Sequence, residues 1–182
     1  MKSQKIQVSL TGIRPIMFDR FVSMKTQLTA MDKVYSKDGN LVFPAINIMS
    51  FLSAENTESA PKRIIGKTWK TICKAALSFV NINPLEINFL NNGKKIPVDS
   101  EQITVVHDKA IVKKGQLAIP SEKERPLLAL PWALDFEIQL FQNNDLNDAI
   151  LKRLFDEGGI TIGFGTYRGI YGKFEVTKWT LK

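Results

Sequence analysis

The stretch GGITIGFGTYRGIYGKF, residues 158–174, holds six of the chain's eleven glycines. Interleaved with them are Phe164, Tyr167, Tyr171 and Phe174, and the cations Arg168 and Lys173. Ordering so many glycines costs conformational entropy, so some physical need must offset it. Successive main-chain N–H groups form concavities that hold anions. Arg168 and Lys173 add charge for phosphate, while Tyr167 and Tyr171 offer faces on which bases stack, worth about 1–3 kcal/mol per base. The pattern predicts a glycine-rich loop over 158–172 in which Gly163, Gly165 and Gly169 let a sugar–phosphate strand come close to the backbone. The competing reading is a long surface loop over core aromatics, with Phe174 and Phe164 as the two expected in the core.

A second set of cations lies in KRIIGKTWKTICKAALSFV, residues 62–80. Ile65, Trp69, Ile72, Ala76 and Phe79 step by 4, 3, 4 and 3, which makes one apolar helix face. Arg63, Lys67, Lys70 and Lys74 step by 4, 3 and 4 and make a second, basic face, with Lys62 beside it. Like charges at this spacing repel by roughly 0.2–0.5 kcal/mol per pair, and the segment contains no acid to relieve them. A merely solvated face usually mixes signs, so this one-sided stripe points to an anionic partner outside the helix. Arg14 and Arg20 extend the track.

The charge distribution agrees. Residues 1–75 hold 12 Lys and Arg against 5 Asp and Glu, whereas residues 76–182 hold 13 against 13. The whole net charge of +7 therefore lies in the first part of the chain. Such an asymmetry suggests a polyanion, with nucleic acid the first candidate.

Other chemistry is poorly supported. GKT at 66–68 lacks the second glycine of a phosphate loop, since position 61 is Pro61. Gly163-Phe164-Gly165 has Arg168 where a dinucleotide fingerprint needs its third glycine, and it follows a helix rather than a strand. His107 is the single histidine and has no identifiable nucleophile. Asp156 and Glu157 diverge by about 100° on a helix and do not face one substrate together. A single cysteine, Cys73, excludes an internal disulfide and a cysteine-based zinc site. No carboxylate cluster has metal-ligand spacing, so no catalytic residue, metal or cofactor is expected. No apolar run reaches the length of a membrane span, and MKSQKIQVSL lacks an apolar signal core. A reducing cytoplasm is the expected setting.

The elements that must position these residues follow from periodicity. Residues 5–13 alternate as a half-buried strand. Residues 16–43 show no clean period and read as an irregular insertion with a KDGN turn. PAINIMSFLSAEN begins a helix with proline at its first turn. The basic segment is a helix over 62–80, and LEINFLN a strand over 85–91. ITVVHDKAIVKKGQLAI gives a hairpin turning about His107–Lys109, and Leu134 to Leu140 alternate as a strand. DLNDAILKRLFDEGG is a helix capped by Asp145 and stopped at Gly158 or Gly159. KFEVTKWTL closes the chain as a strand. Without the insertion and the hairpin the order is β-α-β-β-α-β, an α+β ferredoxin-like sandwich of the RNA-recognition type, in one domain over 1–182.

Three segments carry a resemblance. DEGGITIGFGTYRGIYGKFEV resembles the G-loop of the RAMP (repeat-associated mysterious protein) superfamily of CRISPR systems, with Gly163, Gly165, Gly169 and Gly172 on the matching positions. DGNLVFPAINIMSFL resembles the segment of its backbone subunits where a short strand leads through a proline into the first helix. With the GIRPIMFDRF start, the three together look most like small RAMP-related proteins of bacteriophages and other mobile elements. The resemblance implies binding of RNA or single-stranded nucleic acid, by subunits stacked into a helical filament or joined to other subunits of a ribonucleoprotein complex. The thumb-like insertion with which backbone subunits kink a guide is not legible in the residues. The superfamily's processing endoribonucleases often use an early histidine, and residues 1–106 contain none. A metal-independent endoribonuclease, drawing on His107, Tyr167 and Lys67, and a phage protein whose basic helix meets an acidic protein partner are the rival readings.

Overall fold

Ile6, Val8 and Leu10 alternate with polar neighbours, and in the computed structural model they are fully buried along strand β1 (Ser3–Gly12). The structure describes residues 2–20, 29–114 and 116–182. After β1 come β2 (Ile16–Met17), a 3-10 turn at Ala30–Lys33, β3 (Ser36–Lys37) and β4 (Asn40–Pro44). Helices α1 (Ala45–Ser53), α2 (Ala60–Ile64) and α3 (Trp69–Phe79) follow. Strands β5 (Val80–Asn83), β6 (Glu86–Asn91), β7 (Lys94–Lys95), β8 (Ile103–Lys114), β9 (Leu117–Leu128) and β10 (Ala133–Phe141) lead to α4 (Asp148–Thr161) and β11 (Phe174–Leu181).

The main sheet is antiparallel: β11 forms one edge, β1 and β10 follow, and both β5 and β6 lie beside β10. Taking β5 and β6 together as one bent strand, this is the ferredoxin-like arrangement expected from the element order. Strand β4 adds to β6 and β3 to β4. A smaller sheet, β2-β9-β8, is built from the exit of β1 and the long hairpin.

The helices cover one face of the main sheet. Phe51 of α1, Phe155 of α4 and Phe174 of β11 meet there, with ring centroids 5.7–6.5 Å apart. Burying each such side chain contributes about 1.5–3 kcal/mol. The middle of the opposite face carries Lys5, Gln7 and Ser9 on β1, facing Gln139, Glu137 and Asp135 on β10. No aromatic stands in these central rows, so the RNA-recognition mode of stacking bases on sheet aromatics has no platform there.

Several local expectations are corrected. The basic segment is not one helix: Gly66 adopts φ +74° and a 3-10 turn over Gly66–Thr68 separates α2 from α3. Arg63 thus sits on α2, Lys67 in the turn, and Lys70 and Lys74 on α3. Val80 opens β5 rather than ending the helix. His107, Asp108 and Lys109 are not a turn but lie mid-strand, paired with Glu124, Lys123 and Glu122. The hairpin reverses beyond Lys114, which pairs with Leu117. Residues 16–43 are not irregular throughout, since they contain β2, β3 and most of β4, while 21–28 lie outside the described residues.

Helix α4 is capped by Asn147, not Asp145, through a bond from the Ile150 amide to Asn147 Oδ1 (2.9 Å). It also runs through Gly158 and Gly159. A Cβ on Gly158 would lie 2.6 Å from Phe51 Cζ, and one on Gly159 would lie 2.6 Å from the Phe174 carbonyl oxygen. These two glycines let α4 press onto α1 and β11. On α3, Cys73 faces inward at 1% exposure, 3.9 Å from the Ser59 hydroxyl that precedes α2. Burial raises its thiol pKa, with the Ser59 contact opposing in part.

Candidate nucleic-acid interface

The glycine loop, residues 162–173, closes on the chain itself. Gly163 donates to the Gly158 carbonyl (3.0 Å), Phe164 to Gly172 (2.9 Å), Thr166 to Met17 (2.9 Å), Gly169 to Ile162 (2.7 Å) and Gly172 to Pro15 (2.7 Å). These five amides are spent on shaping the loop, so they are not open N–H groups for a ligand. Gly172 shows the geometric demand most clearly: φ is +67° and a Cβ would stand 2.0 Å from the Phe164 carbonyl oxygen. Phe164 is core, stacked on Phe174 with centroids 4.4 Å apart and on Phe43 at 4.8 Å. The loop exposes Gly169, Ile170 and one side of Tyr167.

The two cation-bearing regions nonetheless meet. Arg168 Nη1 donates to the Glu58 carbonyl (2.8 Å), and Arg63 Nε donates to the Glu58 carboxylate (3.1 Å). Glu58 precedes α2, so the loop and the start of the basic segment are joined through one residue. Burial lowers the Arg168 pKa, and the charge of Glu58 opposes this. At the other end of the loop, Ile13 and Arg14 donate backbone N–H groups to the Lys173 carbonyl (2.8 and 3.2 Å), which sets Arg14 beside Lys173.

Beyond Arg63 the basic segment is exposed. The ammoniums of Lys62 and Lys70 lie 5.4 and 5.5 Å from the Trp69 ring centroid, within cation–π range. Lys62, Lys67, Lys70 and Lys74 form no ion pair among the described residues. Their charge is available to solvent and to any polyanion.

Tyr167 is less free than the sequence suggests. Its hydroxyl donates to Asp108 Oδ2 (3.1 Å), and the Arg125 guanidinium lies 4.8 Å from its ring centroid. One ring face is therefore occupied by a cation of β9, and the loop is tied to the long hairpin. Arg125 is 4% exposed and donates from Nε to Asp19 (3.0 Å), while its Nη1 is 3.5 Å from Asp108 Oδ2. Lys123 and Lys33 also lie within 3.4 and 3.5 Å of the Asp19 carboxylate. Burial alone would raise the Asp19 pKa, but the Arg125 hydrogen bond and the charges of Lys123, Arg125 and Lys33 outweigh it and hold the carboxyl below its ordinary range. Removing the hydroxyl in Tyr167→Phe should cost about 0.5–1.5 kcal/mol of stability. Faster amide exchange in β8 around Asp108 is the expected sign, and unchanged exchange would show that this hydrogen bond does not hold the hairpin.

Where β2 ends, a cavity of about 240 Å³ opens between the loop and α1. Its wall includes Arg20, whose guanidinium lies 4.9 Å from the Tyr35 ring centroid, together with Arg168, Gly163 and Gly165. Asp19, Asn47, Ser50 and Thr166 also line it, and sequence reasoning missed them. The available signal was the polar pair Asn47 and Ser50, one turn apart within a helix whose only other polar residue is its last, Ser53.

No family model matches the sequence, and no curated protein matches it. Among solved structures, the chain is similar to a chain of the cryo-EM structure of the Type III-B Cmr-beta bound to cognate target RNA, with a TM-score of 0.60 and 15% identity over 99% of this chain. The match spans 61% of that other chain, so the protein described here corresponds to less than two thirds of its length. At this identity the likeness is one of architecture, and it agrees with the α+β, ferredoxin-like fold described above.

Proposed function

We propose that the protein binds single-stranded nucleic acid, RNA foremost, without catalysing a reaction on it, and that copies assemble side by side along the strand in the manner of CRISPR backbone subunits or their relatives from phages and mobile elements. The observation that carries this reading is the junction at Glu58. Arg168 of the glycine loop and Arg63 of the basic segment bind the same residue, and Lys62, Lys67, Lys70 and Lys74 continue from it with no ion pair to an acid among the described residues. The loop's main contribution is to place side chains, since most of its amides are occupied.

The test is a titration with single-stranded RNA, single-stranded DNA and duplex at two salt concentrations, with sizing of the products. On single strands the affinity should fall with a log–log salt slope of about −0.7 per phosphate neutralised. Changing Lys62, Lys67, Lys70 and Lys74 together to glutamine should flatten that slope by about 2.8 if each lysine meets one phosphate. Affinity that stays flat with salt, or a slope unaltered in the variant, removes the basic segment from the interface. Complexes of one copy per strand at every length would remove the assembly.

A further inference from the structure

The cavity at the end of β2 is not accounted for by a basic track on the surface. At about 240 Å³ it is smaller than the roughly 300–1,000 Å³ usual for small-molecule pockets, so it suits one compact polar group rather than a run of nucleotides. Its charges do not cancel. Arg20 rests on the Tyr35 ring rather than on a carboxylate. Arg168 is half-buried and donates to a main-chain carbonyl. Asp19 is the one acid on the wall, and Arg125, Lys123 and Lys33 already surround its carboxylate. The side chains of Asn47, Ser50 and Thr166 add neutral donors, and none of them makes a hydrogen bond among the described residues.

We infer that this cavity binds a phosphomonoester: the terminal phosphate of a strand or the phosphate of a free nucleotide. A monoester carries about −1.5 to −2 charge at neutral pH and three strong acceptor oxygens. Two guanidiniums, neither in a salt bridge among the described residues although Glu58 lies near Arg168, match that charge and can each donate in fork geometry. A diester within a continuous strand carries one negative charge and fewer free oxygens, and it is served by the exposed lysines instead. The strand-end form rests on the nucleic-acid reading above, and the free-nucleotide form does not.

The experiment compares one short oligoribonucleotide in three forms, with a 5′-phosphate, a 3′-phosphate or hydroxyls at both ends. It also compares a nucleoside 5′-monophosphate with its nucleoside as thermal stabilisers. One phosphorylated form should bind about tenfold more tightly than the hydroxyl form, the size of one charge-assisted contact, and which form does so identifies the end. That ratio should fall to about one in Arg20→Ala and in Asn47→Leu, a second variant that fills the cavity without touching its charge. The monophosphate, and not the nucleoside, should raise the wild-type melting temperature and fail to do so in both variants. Strands that bind with no preference for a phosphorylated end, together with a monophosphate that does not stabilise, would overturn the cavity while leaving strand binding intact. A preference that survives in both variants would overturn it too. A monophosphate that stabilises in the expected way while no strand binds in any form would support the cavity and overturn the proposed function.

Discussion

Asp19→Asn is expected to destabilise the protein by about 3 kcal/mol at neutral pH, the usual cost of leaving a buried charge without its partner. The loss comes less from the bond itself than from the guanidinium it abandons. Arg125 is 4% exposed, and without Asp19 its charge keeps only the longer contact to Asp108 and the face of the Tyr167 ring. The effect has a pH signature. The folded-state pKa of Asp19 lies below the ordinary 3.8, so its stabilisation is complete above that value and is lost as the pH falls through the lower folded value. Wild type and variant should therefore differ most in urea unfolding at neutral pH and converge in strong acid. A gap that stays constant across the pH range would mean that the Asp19 charge is not its source.

Gly172→Ala should cost about 3 kcal/mol, combining roughly 1–2 kcal/mol for an alanine in the left-handed region with the weakening of about two backbone hydrogen bonds at about 1 kcal/mol each. The built methyl would collide with the Phe164 carbonyl 2.0 Å away. Neither the Phe164 to Gly172 bond nor the Gly172 to Pro15 bond can then keep its length. Gly169→Ala is the internal control. Its φ of +92° is as demanding, yet nothing stands within 4 Å of the added carbon. That change should cost only the backbone share, about 1–2 kcal/mol. Equal urea midpoints for the two variants would show that the loop yields freely around Gly172 and that its closed form is not a fixed scaffold.

The parts of this protein that could be read in advance are those where one local rule decides. Alternation marked β1, β10 and β11, because one face of each packs against helices. The order of elements then gave the sandwich. The errors lie where tertiary contacts outweigh local preference. Gly158 and Gly159 look like a helix stop, but Phe51 and Phe174 require helix without side chains there. His107–Lys109 resembles a turn, yet twelve residues on each side of the true reversal pair in register. Gly66 splits the basic helix because its φ is positive, which a four-three step alone does not reveal. At the interface, the Lys62–Lys74 cluster was legible because a run of one sign is costly and therefore informative. The fates of Tyr167 and Arg168 were not legible, because their partners, Asp108, Arg125 and Glu58, are far away in the chain.

The lone thiol on α3 gives the wild-type chain an intrinsic clock. Cys73 is inaccessible while α3 remains seated against the residues that open α2, and it lies one position from Lys74 in the charged stripe. A thiol-specific reagent can reach it only when that corner opens, so the rate of modification counts those openings without any engineered label. A strand bridging the lysines would hold the corner shut and slow the count. Contact with nucleic acid would then be recorded as a change in mass on a single sulfur.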